Sequence, residues 1–238
     1  MAIRTLVLNG SGEIEPRNPD AQPARAMADR RTRHNGSDLN ESGSKLEQIL
    51  QVAAELMAQQ GYDRTSIRDV ARATGYSLAG MYYYFESKED LLYKIQHRTF
   101  AALLAEQEEA LSEGATAEAR LRRLVQNHLS YYTSHFNEMK ICTFELQSLE
   151  GDRYREIERI RRRYFRIVAE VVDDILGTDG AGDEAGGEGR HYTLFIFGML
   201  NWIFMWFDPE RDSPVESLGE KVVQLVLFGL TGRTPIKK

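Results

Sequence analysis

The sequence predicts an all-α protein of about nine helices, and three observations support this prediction. From Ser44 onward, apolar residues recur every three or four positions, which is the spacing of one helix face. Serine or threonine repeatedly precedes such a segment, often with an acidic residue three positions later, as at a capped helix start. No segment alternates regularly between apolar and polar residues, so we expect no strand.

Length and composition limit the possible classes of protein. The chain has 238 residues, of which 42 % are hydrophobic, so it can bury a core in one large or two modest domains. Its formal net charge of −6 argues against a generally basic coat for nucleic acid. The single cysteine, Cys142, excludes an intrachain disulfide framework and a cysteine-rich zinc site, and it suits a reducing cytoplasm.

We expect no membrane segment and no secretory signal. The most apolar run, residues 192–207, falls short of the roughly 20 residues that span a bilayer. The first residues of the chain are too polar for a secretory signal. The apolar run therefore favours a buried core or interface helix, and the chain is expected to be cytoplasmic.

Residues 1–43 are predicted to be a disordered N-terminal extension. They are rich in proline, glycine, asparagine, arginine and aspartate, they show no apolar period, and their charges cancel. Arg30, Arg31 and Arg33 could form a basic arm that enters a minor groove of DNA, or they could belong to a solvated tail.

Residues 44–92 are predicted to form one small domain that begins with a long helix. Ser44 caps this helix and Gly61 ends it. Ser87 caps another long helix, which continues into the remainder of the chain.

Between these long helices lie two short helices joined by a tight turn at Gly75. Ser66 caps the first of the pair and Ser77 caps the second. Two short helices that cross at a tight turn are typical of a helix-turn-helix, whose second helix can lie in the major groove of DNA. The residues expected to hold the pair in a small core are Ile49, Val70, Met81 and Phe85.

The start of the second short helix has the residues that close approach to DNA requires. Ser77, Leu78, Ala79 and Gly80 are small or uncharged, so the backbone can come near the floor of the groove. The Ser77 hydroxyl could bond a base edge or a phosphate, and Leu78 or Ala79 could contact a thymine methyl group.

The segments ILQVAAELMAQQGYDRTSIRDVARATGYS and MYYYFESKEDLL resemble the TetR family of bacterial transcriptional regulators over about residues 44–92. The resemblance implies that the third helix of the chain reads DNA. Two positions depart from the usual pattern, because Leu78 stands where a basic residue or proline is frequent and Tyr84 stands where histidine is frequent. The residues that match common contacts to phosphate or sugar are Ser66, Tyr82, Tyr83 and Lys88. The full set of predicted DNA contacts is Ser66, Arg68, Ser77, Leu78, Ala79, Gly80, Tyr82, Tyr83 and Lys88.

The charge of the DNA-binding domain predicts few phosphate contacts. Residues 44–97 contain one more acidic than basic side chain. We therefore expect a shallow salt dependence of DNA binding, with a slope of about 0.9 for each phosphate neutralised.

Residues 93–238 are predicted to form a larger helical domain for ligand binding and dimerisation. Ser213, Pro214 and Glu216 match the N-cap, N1 and N3 positions of a last helix. Gly-rich residues 178–189 predict a flexible acidic loop. The remaining helices are expected from Thr116, over about 138–149, over about 153–176 and over 190–207.

A dimer is expected because one helix-turn-helix reads one half-site, and two half-sites lie about 34–36 Å apart. The helices expected at 190–207 and 214–231 are too apolar for ordinary surface helices and could form a four-helix bundle with their mates, or could pack inside one chain. The predicted interface residues are Phe197, Ile203, Phe207, Leu218, Val222, Leu225 and Val226.

Residues 197–230 are similar to one branch of the same family, in which an Asn-Trp pair precedes a Trp-aromatic-X-Pro corner. The matching residues here are Asn201, Trp202, Trp206, Phe207 and Pro209. Several members of that branch respond to acyl-CoA thioesters or fatty acids, so the resemblance implies such a ligand.

Aromatic residues and methionines on the predicted helix faces suit a mostly apolar ligand. His128 could line its pocket or could be a satisfied core histidine, and the Asn201 amide needs a partner. Arginines within 159–166 could bind phosphate or could form salt bridges along their helix. The predicted ligand-binding residues are Phe100, Leu104, His128, Tyr132, Phe136, Phe144, Phe165, Met199 and Trp202.

The sequence thus predicts a homodimeric repressor that a small, mostly apolar molecule releases from an inverted-repeat DNA operator. An aromatic or drug-like ligand is an alternative to an acyl-CoA or fatty acid. A helical enzyme is less favoured because the sequence has no Gly-rich phosphate loop, no metal-ligand spacing and no nucleophile elbow. We expect no cofactor and no metal.

Overall fold

The computed structural model of the protein describes residues 7–8, 14–15, 37–111, 115–178 and 188–229. The chain divides into two compact units, residues 1–39 and residues 40–238. In the first unit, β1 (Val7–Leu8) and β2 (Ile14–Glu15) pair antiparallel. The helices are α1 (Ser37–Gln60), α2 (Ile67–Thr74), α3 (Leu78–Tyr84), α4 (Lys88–Ala110), α5 (Ala117–Ser134), α6 (Phe136–Phe144), α7 (Gly151–Leu176), α8 (Glu188–Asn201) and α9 (Val215–Phe228).

The described residues form nine α-helices, which confirms the predicted all-α class. Short 3₁₀ turns at Leu146–Ser148 and Ile203–Met205 end α6 and α8 earlier than the sequence predicted. The pairing of β1 with β2 was not expected, although β-branched Val7 and Ile14 favour extended backbone. Most of the predicted 1–43 extension and of the predicted 178–189 loop lies outside the described residues.

Helix α1 begins at Ser37, so the prediction of a start at Ser44 was wrong. Gly43 is a poor helix former. A single glycine destabilises a helix by only about 1 kcal/mol relative to alanine, so the long helix continues through it.

Other helix starts agree with the sequence because a cap is a local interaction. The hydroxyl oxygens of Ser66, Ser77, Ser87 and Thr116 each accept a hydrogen bond from the backbone N–H three residues later. The predicted cap at Ser213 was wrong. Its hydroxyl instead accepts from Nζ of Lys221 at 3.0 Å, and α9 begins after Pro214 without a side-chain cap.

The first four helices share one buried core. Ile49, Val70, Met81 and Phe85 are all buried together, as predicted. Ile141 and Ile157 from α6 and α7 belong to the same cluster. The small helical domain is therefore packed directly against helices of the larger domain.

The larger domain has its own core, to which α4, α5, α7, α8 and α9 contribute together with α6. Each of the five helices α4, α5, α7, α8 and α9 has at least one residue buried in this core. Examples, in that order, are Leu103, Leu124, Val168, Leu200 and Val223. Among the described helices, none is both long and apolar enough to cross a membrane.

Candidate functional site

The turn between α2 and α3 sets the arrangement of the two short helices for which the sequence predicts a helix-turn-helix. Gly75 ends α2 in the left-handed region at φ 76°, where a glycine avoids the strain of a side chain. Ser66 caps α2 in a complete capping box, and its hydroxyl donates to the Asp69 carboxylate at 2.6 Å. Hydrogen bonds from Ser66 hold the pKa of Asp69 below its ordinary value.

Helix α3 is anchored by one side and exposed on the other. Met81 is fully buried in the core, whereas Tyr82 is 51 % and Tyr83 is 80 % exposed. The Ser77 hydroxyl oxygen accepts from the Gly80 N–H at 3.1 Å. A Cβ atom at Gly80 would lie 3.2 Å from that oxygen, so a larger residue would press on the cap. Of the other predicted DNA contacts, Ser66, Arg68, Ser77 and Ala79 are exposed, while Leu78 and Gly80 are partly buried.

Lys88 connects the start of α4 to the loop that follows α1. Its ammonium donates to the backbone oxygens of Tyr62 and Asp63 at 3.0 and 3.2 Å. The same ammonium lies 4.1 Å from the centre of the Tyr62 ring. An ammonium has three N–H donors, so the two backbone bonds use only two of them.

The larger domain contains a cavity of about 520 Å³. Four of the predicted ligand-binding residues line it: Phe100, His128, Tyr132 and Phe165. The other lining residues are Leu103, Cys142, Thr143, Leu146, Tyr154, Glu158, Arg161, Arg162, Tyr164, Arg190, Leu194, Phe197 and Asn201. The cavity is thus largely aromatic, with charged groups at one part of its wall.

Five predicted ligand-binding residues do not line the cavity. Phe136, Phe144 and Trp202 are exposed to solvent, because the ends of α6 and α8 turn these positions outward. Leu104 and Met199 are partly buried against the core of the larger domain instead. Helical spacing alone could not show which neighbour each face would meet.

A polar floor of the cavity is formed by His128, Tyr132, Tyr164 and Asn201. Nδ1 of His128 lies 2.9 Å from the Tyr164 hydroxyl, and the imidazole stacks on the Tyr132 ring at 4.3 Å between centres. The Tyr132 hydroxyl donates to Oδ1 of Asn201 at 2.7 Å, so Asn201 has the partner that its apolar helix required.

His128 is a neutral, buried polar group. Burial lowers the pKa of His128 to about 3, and the nearby Asn201 amide offsets this only in part. Burial also raises the pKa of the Tyr132 and Tyr164 hydroxyls. No described polar atom meets Nε2 of His128 in hydrogen-bond geometry.

A charged mouth of the cavity is formed by Glu158, Arg161, Arg162 and Arg190, all at least partly exposed. Arg162 pairs with Glu158 at 2.8 Å. Within the described ranges, Arg161 and Arg190 form no ion pair with a carboxylate. The guanidinium of Arg161 lies 5.5 Å from the centre of the Phe100 ring.

The sequence predicts two alternative roles for the arginines within 159–166, namely phosphate binding and salt bridges along the helix, and the structure contains arginines in positions suited to each role. Arg159 pairs with Glu156 at 2.6 Å, and Arg163 pairs with Glu108 at 3.1 Å. These arginines form the salt-bridged face, while Arg161 and Arg162 border the cavity. Cys142 is a buried thiol in the cavity wall, and burial raises its pKa.

Large apolar side chains are exposed on α8, on the turn after it and on α9, and these six residues are together called the outer apolar face: Tyr192, Phe195, Trp202, Met205, Trp206 and Leu225. Phe195 is 65 % exposed and Trp206 is 53 % exposed. Of the residues predicted for an interface, Leu225 alone belongs to this face.

The remaining predicted interface residues contact their own chain to different extents, and the partly exposed ones stay predictions. Ile203 is buried in the core, and Phe197 lines the cavity beside His128 and Phe165. Phe207, Leu218, Val222 and Val226 are partly buried against the same core. The apolar period of these helices gave no means to distinguish the inner from the outer face.

Comparisons with known proteins match both domains. Residues 49–95 match the family described as “Bacterial regulatory proteins, tetR family”, and residues 114–230 match “Tetracyclin repressor-like, C-terminal domain”. The chain is 24 % identical over 187 residues to the fatty acid metabolism regulator protein of Bacillus subtilis, covering 78 % of this chain and 95 % of the relative.

Two solved structures are also similar. A TetR-family transcriptional regulator from Bordetella parapertussis is 26 % identical, with a TM-score of 0.72, over 80 % of this chain and 98 % of the other. AibR, solved in complex with isovaleryl coenzyme A and operator DNA, is 24 % identical, with a TM-score of 0.67, over 78 % and 98 % of the two chains. The exposed helix-turn-helix and the two family matches lead to one conclusion: the chain belongs to the TetR family of bacterial transcriptional regulators and is a DNA-binding regulator, not an enzyme.

Proposed function

We propose that the protein is a homodimeric repressor that leaves an inverted-repeat operator when an acyl-CoA or a fatty acid occupies the cavity. The observation that carries this proposal is the cavity itself, whose aromatic wall meets a charged mouth with three arginines. Apolar surface suits an acyl chain, and guanidinium groups suit phosphates. An acyl-CoA combines both chemistries in one molecule.

Two of the comparisons support this ligand class. The Bacillus subtilis relative is named for fatty acid metabolism, and the AibR structure holds both an acyl-CoA and operator DNA. The arginines favour the CoA thioester over the free fatty acid, because a free acid has no phosphate for Arg161 and Arg190 to bind.

Dimerisation is proposed through the outer apolar face. Exposed clusters of large apolar side chains are uncommon on monomeric proteins and mark interaction sites. Phe195 and Trp206 are aromatic residues of the kind enriched in such interfaces. If two copies of the chain pair through this face about a two-fold axis, the α3 helix of each copy can contact one half of an inverted repeat.

The predicted DNA contacts remain part of the proposal. Ser66, Arg68, Ser77 and Lys88 supply polar groups for phosphates, and the start of α3 faces the bases. Because its target is the chromosome, we place the protein in the cytoplasm. The ligand acts by binding more tightly to a conformation in which the two α3 helices no longer fit the operator.

Two measurements test the proposal. A gel shift with the DNA that flanks the protein's own gene should show binding, and failure to shift this DNA at any salt concentration would oppose the repressor function. Thermal melting with a panel of acyl-CoAs and free fatty acids should show stabilisation by a ligand that binds the native state. If no acyl compound raises the melting temperature while an aromatic compound does, the ligand class is aromatic instead.

A further inference from the structure

The hydrogen bonds of the polar floor run from one side chain to the next. Oε1 of Gln107 accepts from the Asn127 amide at 3.1 Å and lies 3.5 Å from the Tyr164 hydroxyl. A carbonyl oxygen can only accept, so the single hydrogen of the Tyr164 hydroxyl is donated to Gln107. Nδ1 of His128, 2.9 Å from the Tyr164 oxygen, therefore carries the imidazole proton and donates it to Tyr164.

The other side of the imidazole continues this series. Nε2 of His128 is an acceptor, and the Asn201 side chain is its hydrogen-bonding neighbour. Oδ1 of Asn201 accepts the single hydrogen of the Tyr132 hydroxyl at 2.7 Å. The two tyrosine hydroxyls and the neutral imidazole each have one hydrogen to donate, and each donates it inside the protein.

A polar ligand atom at this floor would have to compete with these bonds. His128, Tyr132 and Tyr164 are all buried, and hydrogen bonds are stronger in such surroundings than in water. If a ligand took one of their hydrogens, the protein atom that had accepted it would be left buried and unpaired. The floor is polar in composition but has no spare hydrogen on these three side chains.

The cavity extends along α8, and the floor lies at the end of this helix. Arg190, Leu194, Phe197 and Asn201 line the cavity at the spacing of one helix face. Arg190 and Asn201 are separated by about 16 Å along α8, since each residue advances a helix by about 1.5 Å. A ligand whose phosphates bind at Arg190 therefore brings its opposite end to the floor.

We infer that the polar floor selects an acyl chain that ends in plain hydrocarbon and rejects a chain with a hydroxyl, keto or carboxyl group at that end. This inference rests on the proposed acyl-CoA function. A methyl end requires no hydrogen bond and leaves the series of bonds intact. An oxygen in the same place loses its water and finds no free hydrogen on His128, Tyr132 or Tyr164.

The test compares dodecanoyl-CoA with two hydroxylated forms of the same chain. In ω-hydroxydodecanoyl-CoA the added oxygen is at the chain end, and in 3-hydroxydodecanoyl-CoA it is beside the thioester. Isothermal titration with the full chain measures the affinities. We expect the ω-hydroxyl to weaken binding to the wild type by about tenfold or more, and the 3-hydroxyl to change it by less than about threefold. The same comparison with decanoyl and tetradecanoyl chains covers different positions of the chain end.

Two variants open the series of bonds by removing one hydroxyl each. Tyr164→Phe leaves Nδ1–H of His128 as a free donor, and Tyr132→Phe leaves Oδ1 of Asn201 as a free acceptor. In either variant the ω-hydroxyl gains a partner, so the tenfold penalty should fall to about twofold or less. The matched control is Tyr131→Phe, which removes a buried hydroxyl that donates to the Thr99 backbone outside the floor and should leave the penalty unchanged.

The outcomes separate this inference from the proposed function. Equal affinity of the wild type for the plain and ω-hydroxylated chains at all three lengths overturns the inference and leaves the acyl-CoA function intact. A penalty that persists in both Tyr164→Phe and Tyr132→Phe also overturns it, because the hydrogen bonds of the floor would then not be its cause. If none of the CoA compounds binds the wild type, the proposed function fails, and the inference fails with it.

Discussion

The guanidinium of Arg153 in the first turn of α7 lies 3.3 Å from the Asp90 carboxylate in the first turn of α4. It also lies 3.4 Å from Glu89. The other oxygen of Asp90 accepts from the backbone N–H of Glu86, two residues after the end of α3. Because α7 also carries Glu158 of the charged mouth, this ion pair links the wall of the cavity to the end of α3, the helix predicted to contact DNA.

Arg153→Met should weaken communication between the two domains. Removing the guanidinium leaves the mostly buried Asp90 carboxylate without this partner, so we expect a loss of about 2 kcal/mol in the free energy of unfolding, between the values for exposed and buried pairs. Acyl-CoA should then release less operator DNA at a given occupancy. Denaturant unfolding and fluorescence anisotropy of labelled operator measure the two effects.

The control for Arg153 is Arg155→Met on the same helix. Arg155 pairs with Asp152 at the exposed surface, and among the described residues no ion pair joins it to α4. This variant should keep wild-type stability within about 0.5 kcal/mol and normal release. Normal release by Arg153→Met would show that the ion pair does not transmit the ligand signal.

Phe195→Glu should produce a monomer. Phe195 is 65 % exposed on α8, so a carboxylate is solvated in the monomer but would be desolvated in an apolar interface. Sedimentation should show half the wild-type mass with unchanged helix content, and operator binding should weaken. Phe136→Glu changes an exposed aromatic residue outside this face and should remain dimeric. A dimeric Phe195→Glu would place the interface elsewhere.

Lys88→Met tests the predicted phosphate contact. Loss of one neutralised phosphate per helix-turn-helix should reduce the slope of log affinity against log salt by about 0.9 for each half-site, or about 1.8 for the dimer on its operator. The variant should also be less stable, because the ammonium donates to two backbone oxygens near Tyr62. Lys221→Met, which removes a cation from α9, should leave the slope unchanged. An unchanged slope in Lys88→Met would mean that Lys88 acts only inside the protein.

His128 should make the protein less stable in mild acid. The unfolded chain protonates this histidine below its ordinary pKa of 6.5, whereas the folded protein keeps it neutral until about pH 3. The unfolded state therefore binds more protons between these values, and the free energy of unfolding falls as the pH falls through this range. Between pH 7 and pH 5, His128 should contribute about 2 kcal/mol to this fall.

Urea unfolding at the two pH values checks the contribution of His128. His128→Phe should lose about 2 kcal/mol less than the wild type between pH 7 and pH 5. Phe165→Leu alters the same cavity without removing a titratable group, so its loss should match that of the wild type. An equal loss in His128→Phe and the wild type would contradict a neutral, buried His128.

Local signals in the sequence predicted the helix-turn-helix well. The caps at Ser66 and Ser77 depend on residues within three positions, and Gly75 is required by a left-handed backbone. Met81 and Phe85 were placed in the core because a short amphipathic helix has one apolar side to bury.

The sequence could not settle contacts between distant helices. Ser213 has the residue type of an N-cap, but its hydroxyl oxygen accepts a hydrogen bond from the Lys221 ammonium and not from the backbone of α9. Ile203 and Trp202 are neighbours in an equally apolar run, yet one is buried and the other exposed, because a 3₁₀ turn replaces the last part of the expected helix. The pairing of His128 with Tyr164 joins residues 36 positions apart, and no local pattern predicts it.

The most direct test of the account is a titration of acyl-CoA into a complex of the protein with DNA from the region beside its own gene. Fluorescence anisotropy of the labelled DNA follows release, and calorimetry gives the affinity of the protein for the same ligand. The account predicts release of the DNA at ligand concentrations that fill the cavity in wild-type protein. DNA that stays bound when the cavity is saturated would contradict it.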